Sequence, residues 1–186
     1  MSDWLPHSLP ERVDINGLTF VPLTPALVEP DYAAVKRDIP MLRAWSGDDW
    51  PTEKFPIESN LEDLVRHDRE QTERVALTYS VLLDAMVQGC IYVQPLLESF
   101  DERELETLSA AADVGDIVVR GWLHDRPAID LIAACMSWLG TEPFEFSRLW
   151  WQTNSNCTDQ LAACEELRLR RVLSVRGDDQ TWEMRA

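Results

Sequence analysis

The chain has 186 residues and a mass of 21.3 kDa, the size of one ordinary domain. Hydrophobic residues make up 45% and charged residues 27%, enough apolar content for a packed core and too much for wholesale disorder. The balance of 17 basic against 33 acidic residues gives a net charge of −16. That argues against a nucleic-acid or anionic-membrane partner, both of which call for clustered Lys and Arg.

Residues 1–17 carry Pro6 and Pro10, lack periodicity, and read as an N-terminal arm lying on the surface or on a partner. The single domain expected over 18–186 opens with a short strand at Leu18–Leu23. Thr24 then offers an N-cap with Pro25 at the first helical position, and Pro30 and Pro40 are expected to break the helix that follows. Residues 47–56 read as a loop. Ser59-Asn60-Leu61-Glu62 has the pattern of a capping box, opening a helix to about Thr72 with Leu61, Leu64 and Val65 inward.

Val75–Leu83 and Val87–Gln94 are rich in strand formers and flank Asp84-Ala85, which predicts a hairpin. A second capping box, Ser99-Phe100-Asp101-Glu102, opens a short acidic helical insertion over about 98–113. Its carboxylates serve solubility or, alternatively, form a rim that attracts a cationic amine. Ile117–Leu123 is the next strand. Ala128–Leu139 is a helix so apolar that it must be buried on most sides. Phe146–Thr153 is a strand, Asn156 caps a helix with Asp159 in its first turn, and Arg171–Arg176 and Thr181–Arg185 are two short closing strands. Ile117–Leu123 and Phe146–Thr153, joined by a buried helix, are expected to lie side by side and parallel.

No segment reaches the roughly 20 apolar residues that span a bilayer. The first seven residues show neither a basic nor an apolar signal region, so a cytoplasmic protein is expected. Cys90, Cys135, Cys157 and Cys164 show no metal-ligand spacing and read as core thiols, with no metal expected.

The element order and two segments resemble the GNAT superfamily of N-acetyltransferases. Val87-Gln88-Gly89-Cys90-Ile91-Tyr92-Val93-Gln94-Pro95 is similar to that family's third strand. Trp151–Asn156, together with Cys164–Val172, is similar to its fifth strand, last helix and helix stop. The resemblance implies an α/β fold with a mixed central sheet, splayed fourth and fifth strands, and helices on both faces. It also implies transfer of an acetyl group from acetyl-CoA to an amine of a small molecule or peptide, and leaves homodimerisation open. Carried over residue by residue, Gly121, Trp122 and Leu123 would face the pantetheine arm, and Arg126, Ala128 and Ile129 would meet the phosphates.

Two segments, the phosphate loop and the last helix, depart from the family. The phosphate loop, His124-Asp125-Arg126-Pro127-Ala128-Ile129, contains no glycine, and it is short. Cys164 stands where the family often has a Tyr, and Arg168 stands at the glycine that ends the last helix. These departures motivate an alternative, a binding or interaction protein on the same fold without catalysis.

Several side chains carry both a chemical and a structural reading. His124 has the pKa range of a base, or is a solvated loop histidine. Tyr92 could protonate a leaving thiolate, or pack its ring. Cys164 is a weak acid or a core thiol. Trp150 and Trp151 face opposite sides of their strand, so one of them could wall a pocket. Asp116 and Glu98 are bases by chemistry only. No catalytic residue is singled out.

Overall fold

The computed structural model describes residues 4–100, 112–113, 115–146, 148–174 and 179–185, together with Glu102, Glu104 and Glu106. Half of the acidic segment expected over 98–113 lies outside them, as do residues 175–178. One eight-stranded sheet organises the chain. Its strands are β1 (Val13–Ile15), β2 (Leu18–Pro22), β3 (Leu77–Leu83), β4 (Met86–Pro95), β5 (Ile117–Leu123), β6 (Arg148–Asn154), β7 (Arg170–Ser174) and β8 (Asp179–Arg185), in the spatial order β1-β2-β3-β4-β5-β6-β8-β7. Every neighbouring pair is antiparallel except β5 and β6, which run parallel as expected.

The helices are α1 (Val28–Arg37), α2 (Ile39–Ser46), α3 (Ile57–Thr72), the single turn α4 (Leu96–Ser99), α5 (Ala128–Leu139) and α6 (Thr158–Glu166), with a 3-10 turn at Pro25–Leu27. Strand alternation sends one set of side chains to each face. Phe20, Tyr79, Ile91, Val119 and Trp151 pack with α5 and α6, whereas Cys90 and Trp122 pack with α1, α2 and α3.

Helix α5 buries Ala128, Leu131, Ile132, Ala134, Cys135, Trp138 and Leu139, which is why its sequence is apolar almost all round. Pro30 sits within the first turn of α1, where its missing N–H has no partner to lose, so it does not break the helix. The break falls at Asp38, and Pro40 lies in the first turn of α2.

Further sequence expectations change, among them the Asn156 cap, since the N-cap of α6 is Cys157. The segment read as an arm contains β1, which turns into β2 through Asn16 and Gly17, both at positive φ. It docks on its own sheet: Trp4 Nε1 donates to the Arg74 carbonyl at 2.9 Å, the Tyr79 hydroxyl donates to the Pro10 carbonyl at 2.9 Å, and Leu5 is buried. Helix α3 begins at Ile57, so Ser59 lies inside it and caps nothing. Leu64 is inward on α3, but Leu61 and Val65 are 39% and 50% exposed.

Helix α6 ends in a Schellman motif: the Leu169 N–H reaches the Cys164 carbonyl at 3.0 Å and the Arg168 N–H the Glu165 carbonyl at 2.9 Å. This geometry puts Arg168 at φ 56°, in the left-handed region that a Cβ disfavours. Arg168→Gly should therefore stabilise the fold by about 1 kcal/mol, seen as a thermal midpoint about 2–4 °C higher. An unchanged or lower midpoint would refute this account of the cap.

Candidate functional site

Strands β5 and β6 pair only over Ile117↔Leu149, Val118↔Trp150 and Val119↔Trp151; beyond that they part. Because His124 and Trp122 turn their backbone toward β4, Gly121 and Leu123 turn theirs into the gap. Gly121 has no room for a side chain. A Cβ there would stand 3.0 Å from the Cys90 carbonyl oxygen and from Ile91 Cγ2, and 3.2 Å from Leu131 Cδ2. Its carbonyl is already engaged, since Gln160 Nε2 at the start of α6 donates to it at 2.8 Å. Gln160 Oε1 in turn accepts from Trp151 Nε1 at 3.2 Å, so this buried amide bridges the two diverging strands.

The N-terminus of α5 lies at the end of β5. Pro127 is its N-cap residue, and the first helical amides, those of Ala128 and Ile129, have no carbonyl four residues back within the helix. Arg126 stands beside them, but its Nε donates to Asp130 Oδ2 at 2.7 Å. Its charge is thus shared with a carboxylate. Asp125 adds a second carboxylate and takes φ 59°. His124 is held between Asp38 Oδ1 at 2.7 Å and Asp125 Oδ1 at 2.9 Å, tying this loop to the junction of α1 and α2.

Of the residues predicted for the cofactor, Gly121, Leu123, Arg126, Ala128 and Ile129 therefore border the gap and the helix terminus. Trp122 does not: its backbone bonds toward β4 and its side chain, 1% exposed, lies on the opposite face.

That opposite face holds a cavity of about 320 Å³ between the sheet and α1, α2 and α3. Trp45, Trp50, Tyr92 and Trp122 are among its walls, and Asp31, Asn60, Asp63, Arg66 and His67 are its polar groups. The Trp45 ring stacks on Tyr92, 5.6 Å between centroids, and the Arg120 guanidinium carbon stands 4.8 Å from the Trp45 centroid. Tyr92 and Arg120 are cross-strand partners, so the indole from α2 covers both at once.

His67 and Asp31 went unnoticed in the sequence. Burial, and then the Arg66 guanidinium, hold the His67 imidazole below its ordinary pKa, so it is neutral near pH 7. Arg66 Nη2 lies 3.1 Å from His67 Nε2, and a guanidinium can only donate. The network therefore assigns the hydrogen to Nδ1, which faces Glu70 Oε2 at 3.1 Å. Burial pushes the Asp31 carboxyl up to about 6. The signal for both was available, because Asn60, Leu64 and His67 fall on one stripe of α3, and Asp31 shares a stripe of α1 with Ala34 and Val35.

The other candidates separate cleanly. Tyr92 lines the cavity, and burial raises its phenol pKa, so it stays protonated. Cys164 is fully buried on the α5 side, with its thiol pushed up to about 12 mainly by burial, and acts as a core residue. Trp150 and Trp151 are both buried, on opposite faces. Glu98 is an exposed residue of α4, and Asp116 lies at the far end of β5. Among the described residues no group of three or more His, Cys, Asp or Glu could hold a metal ion, and no helix is long and apolar enough to cross a membrane.

No family model and no curated protein matches the sequence. Solved structures match the fold. The microcin C7 self-immunity acetyltransferase MccE, in complex with acetyl-CoA and AMP, superposes with a TM-score of 0.69 at 10% identity, over 96% of this chain and 98% of that one. RimL, the ribosomal L7/L12 alpha-N-protein acetyltransferase, in complex with coenzyme A, gives 0.68 at 10% identity, over 94% and 98%. Mycobacterium smegmatis RimJ in complex with CoA-disulfide gives 0.66 at 13% identity, over 91% and 82%. The chain has the fold of the GNAT acetyltransferases.

Proposed function

We propose that the protein is an acyl-coenzyme A-dependent N-acyltransferase, with acetyl-CoA as donor and an amine as acceptor. The observation that carries this reading is the parting of β5 from β6 after Val119 and Trp151, beside an uncapped helix N-terminus. The gap is bordered by backbone that can pair with an extended amide chain, and the first amides of α5 point where an anion is favoured. The MccE, RimL and RimJ structures, which carry acetyl-CoA or coenzyme A on this fold, support the same reading.

The residues fit such a donor, with a reduced phosphate end. Leu123 and Gly121 would hold its extended arm, with Gln160 yielding the Gly121 carbonyl. Ala128, Ile129 and Arg126 would hold the phosphates. When bound, the donor supplies a thioester whose C–S bond is exchanged for an amide C–N bond, the amine's proton passing to sulfur. Tyr92, the protonated phenol in the cavity, is the proton donor that this chain offers. The neutral amine must be the nucleophile, so a bound ammonium has to give up a proton before it attacks.

Calorimetric titration with acetyl-CoA tests the reading. Binding is expected, with a stabilisation of about 2.7 kcal/mol at a hundredfold excess over Kd. Arg126→Ala should weaken binding about fivefold, a small effect because Asp130 already shares the charge. No heat and no thermal shift at saturating donor would overturn the proposal.

A second reading, a non-catalytic binding protein on the same fold, is favoured by the Gln160 bond to Gly121 and the Arg126–Asp130 pair. It predicts no amine-dependent release of free thiol from acetyl-CoA.

A further inference from the structure

Asp31 is 4% exposed and lines the cavity. Its Oδ2 accepts from Asn60 Nδ2 at 2.9 Å. Among the described residues no Lys, Arg or His forms an ion pair with it. The charge acting on it is the like charge of Asp63, which also lines the cavity. Arg66, the guanidinium among the described lining residues, is committed to Asp63 at 3.2 Å and to Glu70 at 3.2 Å. A buried carboxylate without a cation is costly, and proteins retain such groups where a ligand supplies the missing charge. Around it stand Trp45, Trp50, Tyr92 and Trp122, flat apolar walls that suit a ring and also attract cations.

We infer that this cavity binds a small monocationic amine carrying a flat apolar body of one or two rings, with its ammonium on Asp31 and its ring among the indoles. The cavity volume of about 320 Å³ is at the small end for ligand pockets, which suits such a molecule and not a folded protein segment. Asp63 reinforces the negative pole, and Asn60 fixes the Asp31 carboxylate so that its Oδ1 is left for the ligand. The inference rests on the acyltransferase reading only for the fate of the amine; binding itself needs no donor.

The test is calorimetry without coenzyme A, using phenethylamine and tryptamine against their neutral counterparts, 2-phenylethanol and tryptophol. Each pair differs in ammonium against hydroxyl. The amines are expected to bind at least tenfold more tightly than the alcohols. In Asp31→Asn, which keeps a partner for Asn60, the preference should fall to about twofold or less. Circular dichroism and thermal melting establish that the variant is folded. Equal affinity for amine and alcohol, an undiminished preference in Asp31→Asn, or binding confined to peptides through their N-termini would each overturn the inference. Amine binding without donor binding would instead sink the acyltransferase reading and leave this one standing. Donor binding with no amine preference would do the reverse.

Discussion

Asp116→Ala is expected to lower the unfolding free energy by about 1.5–3 kcal/mol, the range for losing hydrogen bonds to a charged group and stranding a buried donor. Asp116 is 4% exposed and serves donors from three residues. Arg148 reaches it through Nε at 3.0 Å and Nη2 at 2.8 Å, Trp150 Nε1 donates at 3.0 Å, and the Asp113 N–H donates at 2.9 Å. Truncation would strand the buried Trp150 indole N–H and leave Arg148 to Asp113 and to a longer contact with Glu183 at 3.6 Å. Those two remaining partners place the loss toward the lower end. Urea denaturation measures it, with a slope of about 1–3 kcal/mol/M translating the loss into a lower midpoint. Asp116→Asn keeps an acceptor for one donor and should lose less. An unchanged midpoint for Asp116→Ala would mean that the network adds nothing. By sequence chemistry Asp116 was a candidate base. It lies six residues before Trp122 along an extended strand, about 20 Å away, so its role is to fasten β5 to β6 where they pair.

What the sequence made legible follows from how each signal is produced. Ile117–Leu123 and Ala128–Leu139 match the structure residue for residue, because both are nearly unbroken apolar runs and Pro127 separates them. The parallel pairing of β5 and β6 followed from the buried helix between them. By contrast, β1 was hidden because it is three residues long and none of them is fully buried, although Asn16-Gly17 is the dipeptide most typical of a two-residue hairpin turn. The gap between β5 and β6 was legible only through resemblance, since splaying is a property of pairing and leaves no mark on either strand's own pattern. The Gln160 bridge was invisible for the same reason: a glutamine in the first turn of a helix reads as solvated until the partner backbone is in place.

The cavity was missed for a different cause. Periodicity arguments count apolar residues, and on α3 they selected Leu61 and Val65, which are exposed. The inward stripe is Asn60, Leu64 and His67, two polar residues to one apolar. A polar residue at core spacing costs stability unless it is paired or used. Asn60 is paired with Asp31, His67 with Glu70 and Arg66, and Asp31 lacks a counter-charge. The helical face that looks least like core is the one facing the candidate acceptor site.

Asp31→Asn is expected to stabilise the protein, by about 3 kcal/mol at pH 7, the equivalent of raising a carboxyl from 3.8 to about 6 at 1.36 kcal/mol per pH unit. The sign follows from proton binding. Between pH 3.8 and about 6 the folded chain holds a proton on Asp31 that the unfolded chain has released, so stability falls as pH rises through that window. Below pH 3.8 both states are protonated and the penalty vanishes; above about 6 it is complete. Asn resembles the protonated acid in shape and keeps an acceptor for Asn60, so the variant avoids the penalty at every pH. The difference in stability between variant and wild type should therefore be near zero at pH 3.5, grow through pH 5, and level off above pH 6. Subtracting the two curves removes the other titrating groups, which both proteins share. At neutral pH the gain corresponds to a thermal midpoint higher by about 6–12 °C for a chain of this size. A bound ammonium would supply the charge that Asp31 lacks, so phenethylamine should narrow the gap by stabilising the wild type alone. A variant less stable than wild type at pH 7, or a difference that does not change with pH, would show that Asp31 carries no uncompensated charge.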